Sequence, residues 1–327
     1  MSAADADAEH AAPARYEDGY VTVGDVLLHY VDYGGAGEPV VALHGLVQNA
    51  HAFDGIAPVL VPHRRLIALD LRGRGDSDWG PPQNYKWRYY LGDLRGFLGA
   101  LHFSRVALIG TSMGGTLAML YAMAHPGQVT RLVMNDSSLN ANRAGVVRAA
   151  LRIGRMPTTF LSLSHATAWF LEERDGLDRL DREQQRAWVS HFLIPVATGG
   201  WRVNCDPVII RNAGLVPPDI GPRQPWSHRW TVWEQVKRLH MPVLILRGAR
   251  SDVVPRLSAK RMAEALPACR WAEVPGAGHA PTLYEPEAHT VLREFFALPA
   301  EPKPSARRAL AEEGKWSHEH RAGDVDR

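Results

Sequence analysis

The sequence predicts an α/β fold: a mostly parallel sheet covered by helices and interrupted by one inserted subdomain. Three observations predict it. Short apolar runs alternate with longer amphipathic stretches through both flanks of the chain. That rhythm breaks off from about Asp136 to Val236, where helical stretches, Trp, Arg and Pro-rich turns replace strand-like runs. A length of 327 residues suits one core carrying an insertion.

The elements follow in order. Tyr20–Val23 and Val26–Tyr33, joined at Gly24-Asp25, read as an opening hairpin. Pro39–Leu43, Leu66–Asp70 and Val106–Ile109 are continuous apolar runs ending in Gly or polar turns, the pattern of strands buried on both faces. Helices are expected over Asn49–Leu60, over Tyr89–Leu101 and from after Ile109 through His125. Strands at Arg131–Asn135, Val243–Leu246 and Trp271–Val274 and a last helix near Pro286–Leu298 complete the core. Residues 16–136 and 237–300 then form the core and 137–236 a helical cap. Residues 1–15 and 301–327 lack sustained apolar periodicity and read as tails.

Composition excludes more than it selects. A hydrophobic fraction of 46%, a charged fraction of 22% and a formal charge of +2 give no reason to expect nucleic acid or an anionic membrane as partner. Cys205 and Cys269 lie far apart and outside any Cys/His cluster, so neither a disulfide framework nor a structural zinc site is expected. No apolar run reaches the roughly 20 residues of a membrane helix, and the N-terminus lacks the charged and apolar regions of a secretion signal. The reading is a cytoplasmic protein, monomeric or homodimeric, without metal or cofactor.

Gly110-Thr111-Ser112-Met113-Gly114 fits G-x-S-x-G between a strand-like run and a helical pattern. Small neighbours let the backbone turn sharply there, and the turn sets the Ser112 hydroxyl at a helix N-terminus, whose amides favour a developing anion. A serine hydroxyl needs a base. Among fifteen histidines, His279 stands out in Pro275-Gly276-Ala277-Gly278-His279, a glycine-rich loop directly after the last strand-like run. The acid should lie beyond a strand between serine and histidine. Asp252 does so in Leu246-Arg247-Gly248-Ala249-Arg250-Ser251-Asp252 and is the preferred reading; Asp136, after the strand that follows the elbow helix, is the alternative. Leu43-His44-Gly45-Leu46 ends an early strand, so the Leu46 and Met113 amides are the expected oxyanion donors and His44 a structural residue.

Other motifs read as structure. Asp70-Leu71-Arg72-Gly73-Arg74-Gly75-Asp76 lacks the Lys-Ser/Thr of a phosphate loop, leaving Arg72 and Asp76 as loop organisers. Arg148, Arg152 and Arg155 share a helical face and read as solvated surface. Asp175-x-x-Asp178-x-x-Asp181 lacks the glycine and ligand spacing of a calcium loop. Trp226, Trp230 and Trp233, where the cap returns to the core, are candidates for lining an apolar acyl pocket, with cap packing as the alternative.

Taken together, the HG turn at Leu43–Leu46, DLRGRGDS at Asp70–Ser77, GTSMGG at Gly110–Gly115, RGARSD at Arg247–Asp252 and GAGH at Gly276–His279 resemble the α/β-hydrolase superfamily. The resemblance covers nearly all of the chain outside the tails. It implies an eight-stranded, mainly parallel sheet, a cap between the sixth and seventh strands, and hydrolysis of a carboxylic ester or lactone through an acyl-serine. Relatives that carry aspartate at the elbow perform haloalkane or epoxide chemistry, which Ser112 disfavours. Carbon–carbon bond hydrolysis or perhydrolysis on the same triad, and a non-catalytic ligand receptor on the same fold, are the alternative functions.

Overall fold

The computed structural model describes residues 15–139, 141–174, 176–214, 236, 237 and 239–299. Its main sheet has eight strands: β1 (Glu17–Val23), β2 (Val26–Gly34), β3 (Pro39–Leu43), β4 (Arg65–Leu69), β5 (Val106–Thr111), β6 (Val129–Asn135), and, beyond the insertion, β10 (Val243–Gly248) and β11 (Cys269–Val274). Their spatial order is β1-β2-β4-β3-β5-β6-β10-β11. β1 and β2 form the expected antiparallel hairpin, and β2 pairs antiparallel with β4. From β4 onward every neighbour is parallel.

The continuous apolar runs have a direct explanation. Along β3, Val40 and Ala42 face one core while Val41 and Leu43 face the other. In β5, Ala107 and Ile109 face the first, and Val106 and Leu108 the second. Both faces are dry, so no polar alternation survives. One layer holds α1 (Ala57–Leu60) and, near the C-terminus, α9 (Pro286–Phe295); the other holds α2 (Trp87–Ala100), α3 (Met113–Ala124) and α8 (Arg256–Ala265).

The helix expected over Asn49–Leu60 is instead a 3-10 stretch, Ala50–Ile56, followed by the single α-turn α1. Pro58 has no N–H to continue an i→i−4 ladder from the preceding turn, and the Ala50 amide is drawn 2.6 Å from Asp70 Oδ1.

Between β6 and β10 lie α4 (Arg143–Gly154), β7 (Thr159–Phe160), α5 (Leu163–Glu173), α6 (Arg182–Ser190), β8 (Leu193–Pro195), β9 (Trp201–Val203) and α7 (Pro207–Gly214). The segment expected as a helical cap thus holds helices and, beside them, strands that the sequence did not announce. β7, β9 and β8 form a small antiparallel sheet whose strands are two or three residues long, too short to leave a periodic signal. Aromatic packing holds this segment together: Trp188 stacks edge-on against Phe192 at 4.3 Å and against Phe170 at 5.7 Å. Trp226, Trp230 and Trp233 lie outside the described residues, as do both ends of the chain. Among the described residues, no helix is long and apolar enough to cross a membrane.

Candidate active site

Ser112 follows β5 and immediately precedes α3, with φ 51 and ψ −111. Positive φ at a non-glycine residue is strained, and the surroundings enforce it. The Ser112 amide donates to the Asn135 carbonyl at 2.8 Å, anchoring the turn to β6. The flanking glycines are steric requirements. A Cβ on Gly114 would run into the Leu43 and His44 carbonyls, and one on Gly110 into the Gly114 backbone.

The Ser112 hydroxyl lies 2.8 Å from His279 Nε2. His279 Nδ1 lies 2.6 Å from Asp136 Oδ2. A carboxylate can only accept, so Nδ1 carries the proton and Nε2 offers its lone pair to the serine. Asp136 is fully buried just past β6, with φ 50. Its carboxylate also accepts from Ser251 Oγ at 2.6 Å and from the Gly248 amide at 3.1 Å. Three donors thus offset the desolvation of a buried anion.

Asp252 occupies a different place, and the expectation that it orients His279 is corrected. Its carboxylate accepts from Arg148 Nε at 2.8 Å, in a pair whose side chains are 34% and 54% exposed. Its carbonyl accepts from Asn142 Nδ2 at 3.1 Å, and α4 packs over it at Gly145. The physical reason is the path of the loop after β10. Ser251 turns inward onto Asp136, which leaves Asp252 facing the insertion. Arg148, read as solvated surface, is the partner that holds it. β6 and β10 are neighbours, so sequence order alone permits an acid on either.

The loop after β3 faces the elbow. The Gly45 amide donates to Gln48 Oε1 at 2.9 Å and is thereby occupied. His44 is fully buried; its Nδ1 bonds to the Gly45 carbonyl at 2.7 Å and its Nε2 accepts from the Leu71 amide at 3.0 Å. Burial pushes its pKa down to about 4, so it is a neutral strut. Met113, the first residue of α3, has an amide without an intrahelical acceptor.

The residue that sequence reading passed over is Arg74. Its side chain is fully buried. Nε donates to the Leu46 carbonyl at 2.8 Å, Nη1 to the Arg72 carbonyl at 2.8 Å and to Tyr90 Oη at 2.7 Å, and Nη2 lies 3.9 Å from Met113 Sδ. It therefore ties the Leu46 loop to the elbow. Arg72 organises the same loop through a buried bidentate pair with Asp93 at 2.5 and 2.6 Å. The insertion closes over the region from two sides. Asn204–Asp206 bonds to Gly73 and Gly75, and Arg174 Nη2 donates to the Ala280 carbonyl, beside His279, at 3.1 Å. Of the acidic triplet, Asp181 caps α6 through a capping box and Asp178 accepts from the Gly176 amide; Asp175 lies outside the described residues.

A serine on a strand–helix turn, met by a loop histidine at the carboxyl edge of a parallel sheet, defines a class of fold and site. The chain belongs to the α/β-hydrolase fold family, whose model matches residues 38–286. It is a hydrolase of that fold. An α/β hydrolase from Novosphingobium aromaticivorans superposes with a TM-score of 0.77 at 31% identity, covering 87% of this chain and 99% of that one. A 3-hydroxybutyrate-oligomer hydrolase from Cupriavidus necator is 29% identical over 279 residues, 82% of this chain and 93% of its own length. The sn-1-specific diacylglycerol lipase ABHD11 of Mus musculus is 29% identical over 251 residues, 73% of this chain and 74% of its own.

Proposed function

We propose that the protein is a serine hydrolase that cleaves a carboxylic ester or lactone through an acyl-serine, with Ser112, His279 and Asp136 as its triad. The observation that carries the reading is the relay of two short hydrogen bonds, 2.8 Å from Ser112 to His279 and 2.6 Å from His279 to Asp136. His279 Nε2 takes the hydroxyl proton as Oγ attacks the substrate carbonyl. The oxyanion is received by the Met113 amide and by the Leu46 amide, which Arg74 and Gln48 hold in register. The imidazolium, stabilised by Asp136, gives its proton to the leaving alcohol. Water then enters, loses a proton to His279, and releases the acid and Ser112.

Two of the relatives bear names of an oligomer hydrolase and a lipase, which supports an oxygen-ester substrate for this chain as well. The test is a turnover panel of aliphatic and aryl esters, lactones, thioesters and a β-diketone, with wild type and Ser112→Ala. Turnover of esters or lactones that disappears in Ser112→Ala is expected. Turnover of the diketone alone would move the assignment to carbon–carbon hydrolysis. Binding without turnover would move it to a receptor.

A further inference from the structure

Away from the triad, three metal-ligating side chains meet where the insertion touches the core. His51 and Asp54 sit on the 3-10 stretch after the Leu46 loop, and His191 caps the C-terminus of α6. Each offers one ligand atom, and the three atoms lie within 4.8 Å of one another. Both imidazoles turn Nδ1 to the same carboxylate. His51 Nδ1 is 3.1 and 3.3 Å from the two Asp54 oxygens, and His191 Nδ1 is 2.7 Å from Oδ2. The two rings lie 4.3 Å apart, inclined by 33°.

Ordinary hydrogen bonding does not fully account for the cluster. His191 Nδ1 is shielded from solvent yet makes no hydrogen bond of acceptable angle, despite its closeness to Asp54. Tetrahedral Zn²⁺ with ligand bonds of 2.0–2.2 Å would set its ligand atoms about 3.3 Å apart. The His51–Asp54 distances already match, and the His191–Asp54 distance needs to open by about half an ångström. An outer partner for the carboxylate is in place: Tyr33 donates to Asp54 Oδ1 at 2.5 Å. Side-chain exposures of 16% for His51, 14% for Asp54 and 32% for His191 leave a path for an ion and a water ligand.

We infer that His51, Asp54 and His191 form a binding site for a divalent transition metal of the Zn²⁺ class, which fastens the insertion to the core. The same junction is held by Asn49 Nδ2, which donates to the His191 carbonyl at 2.5 Å. The site departs from the sequence expectation of no metal because His191 lies about 140 residues from His51 and Asp54, with no local motif to announce the three together.

The test is Zn²⁺ titration by calorimetry, with equilibrium dialysis for stoichiometry, on the full chain carrying His318→Gln and His320→Gln to remove the tail pair. One Zn²⁺ per chain with a micromolar or tighter dissociation constant is expected. Binding should weaken by about 100-fold in His51→Gln or His191→Gln and by about tenfold in Tyr33→Phe. It should be unchanged in His279→Gln, which removes the triad imidazole. His191→Cys, which replaces one zinc ligand by another, should bind within about tenfold of the parent. Zn²⁺ should raise the Tm of the parent and not of His191→Gln. Millimolar binding only, binding indifferent to His51→Gln and His191→Gln, or binding lost in His279→Gln would each overturn the inference.

Discussion

Asp136→Asn probes the acid position more sharply than any truncation, because it keeps the shape and removes only the charge and one acceptor. Asp136 Oδ2 accepts from both His279 and Ser251, and Oδ1 accepts from the Gly248 amide. An asparagine amide cannot satisfy both oxygen positions. With its NH2 toward Gly248, two donors collide. With its NH2 toward His279, Nδ1 must become an acceptor, the ring proton moves to Nε2, and Nε2 can no longer take the Ser112 proton. The wrong tautomer in a Ser-His-Asp triad costs about 10⁴ in kcat, or roughly 5.4 kcal/mol. Asp252→Asn severs an ion pair that is one-third to one-half exposed. Such a pair is worth about 0–1 kcal/mol, so kcat should stay within about fivefold. Steady-state kinetics on whichever ester the panel identifies, with circular dichroism to verify folding, measures both. A large loss in Asp252→Asn beside near-normal turnover in Asp136→Asn would refute the reasoning and restore the order read from sequence.

Further consequences follow from the same geometry. Arg74→Met should lower kcat by about 10–100-fold with KM nearly unchanged, because a charge-assisted bond that holds the Leu46 carbonyl is worth about 1.5–3 kcal/mol; Arg74→Lys should recover part of the loss, and unchanged kcat in Arg74→Met would remove Arg74 from the account. His44 has a folded pKa of about 4, below its ordinary 6.5. Its unfolded form therefore takes up the proton first, and its contribution is full above pH 6.5 and lost as pH falls toward 4, about 3 kcal/mol in all. Urea unfolding of wild type and His44→Asn at pH 7, 5.5 and 4.5 should show a steeper acid loss in the wild type; parallel curves would count against it. Gly114→Ala drives a methyl into the Leu43 carbonyl and should cost at least about 1–3 kcal/mol by urea denaturation. Gly92→Ala, in the interior of α2 with nothing within 4 Å, should gain about 0.5–1 kcal/mol in the same assay.

The sheet was legible because burial on both faces leaves uninterrupted apolar runs, and Val40–Leu43 or Val106–Ile109 can be little else. The placement of Ser112 beside His279 was legible for a related reason. Glycines that a Cβ would turn into backbone collisions mark the elbow at Gly110 and Gly114, and the contact of Gly248 with the Ala277 and Gly278 carbonyls marks the histidine loop. The carboxylate that meets His279 was not, since Asp136 and Asp252 follow adjacent strands and only the inward turn of Ser251 decides between them. Asn135-Asp136, directly at the end of β6, was the available signal. Arg74 escaped notice because a buried guanidinium satisfied by carbonyls, a tyrosine and a thioether leaves no paired acid to find in the sequence. The strands of the small sheet and the His51–Asp54–His191 junction exist only through contacts distant in sequence.

The central claim is that Ser112 is a nucleophile that forms a covalent intermediate, and a fluorophosphonate probe with peptide mapping tests it most directly. A single adduct on the peptide carrying Ser112 is expected, formed rapidly in wild type, far more slowly in His279→Gln, and absent in Ser112→Ala. An adduct on another residue, or no adduct on folded wild-type protein, would contradict it.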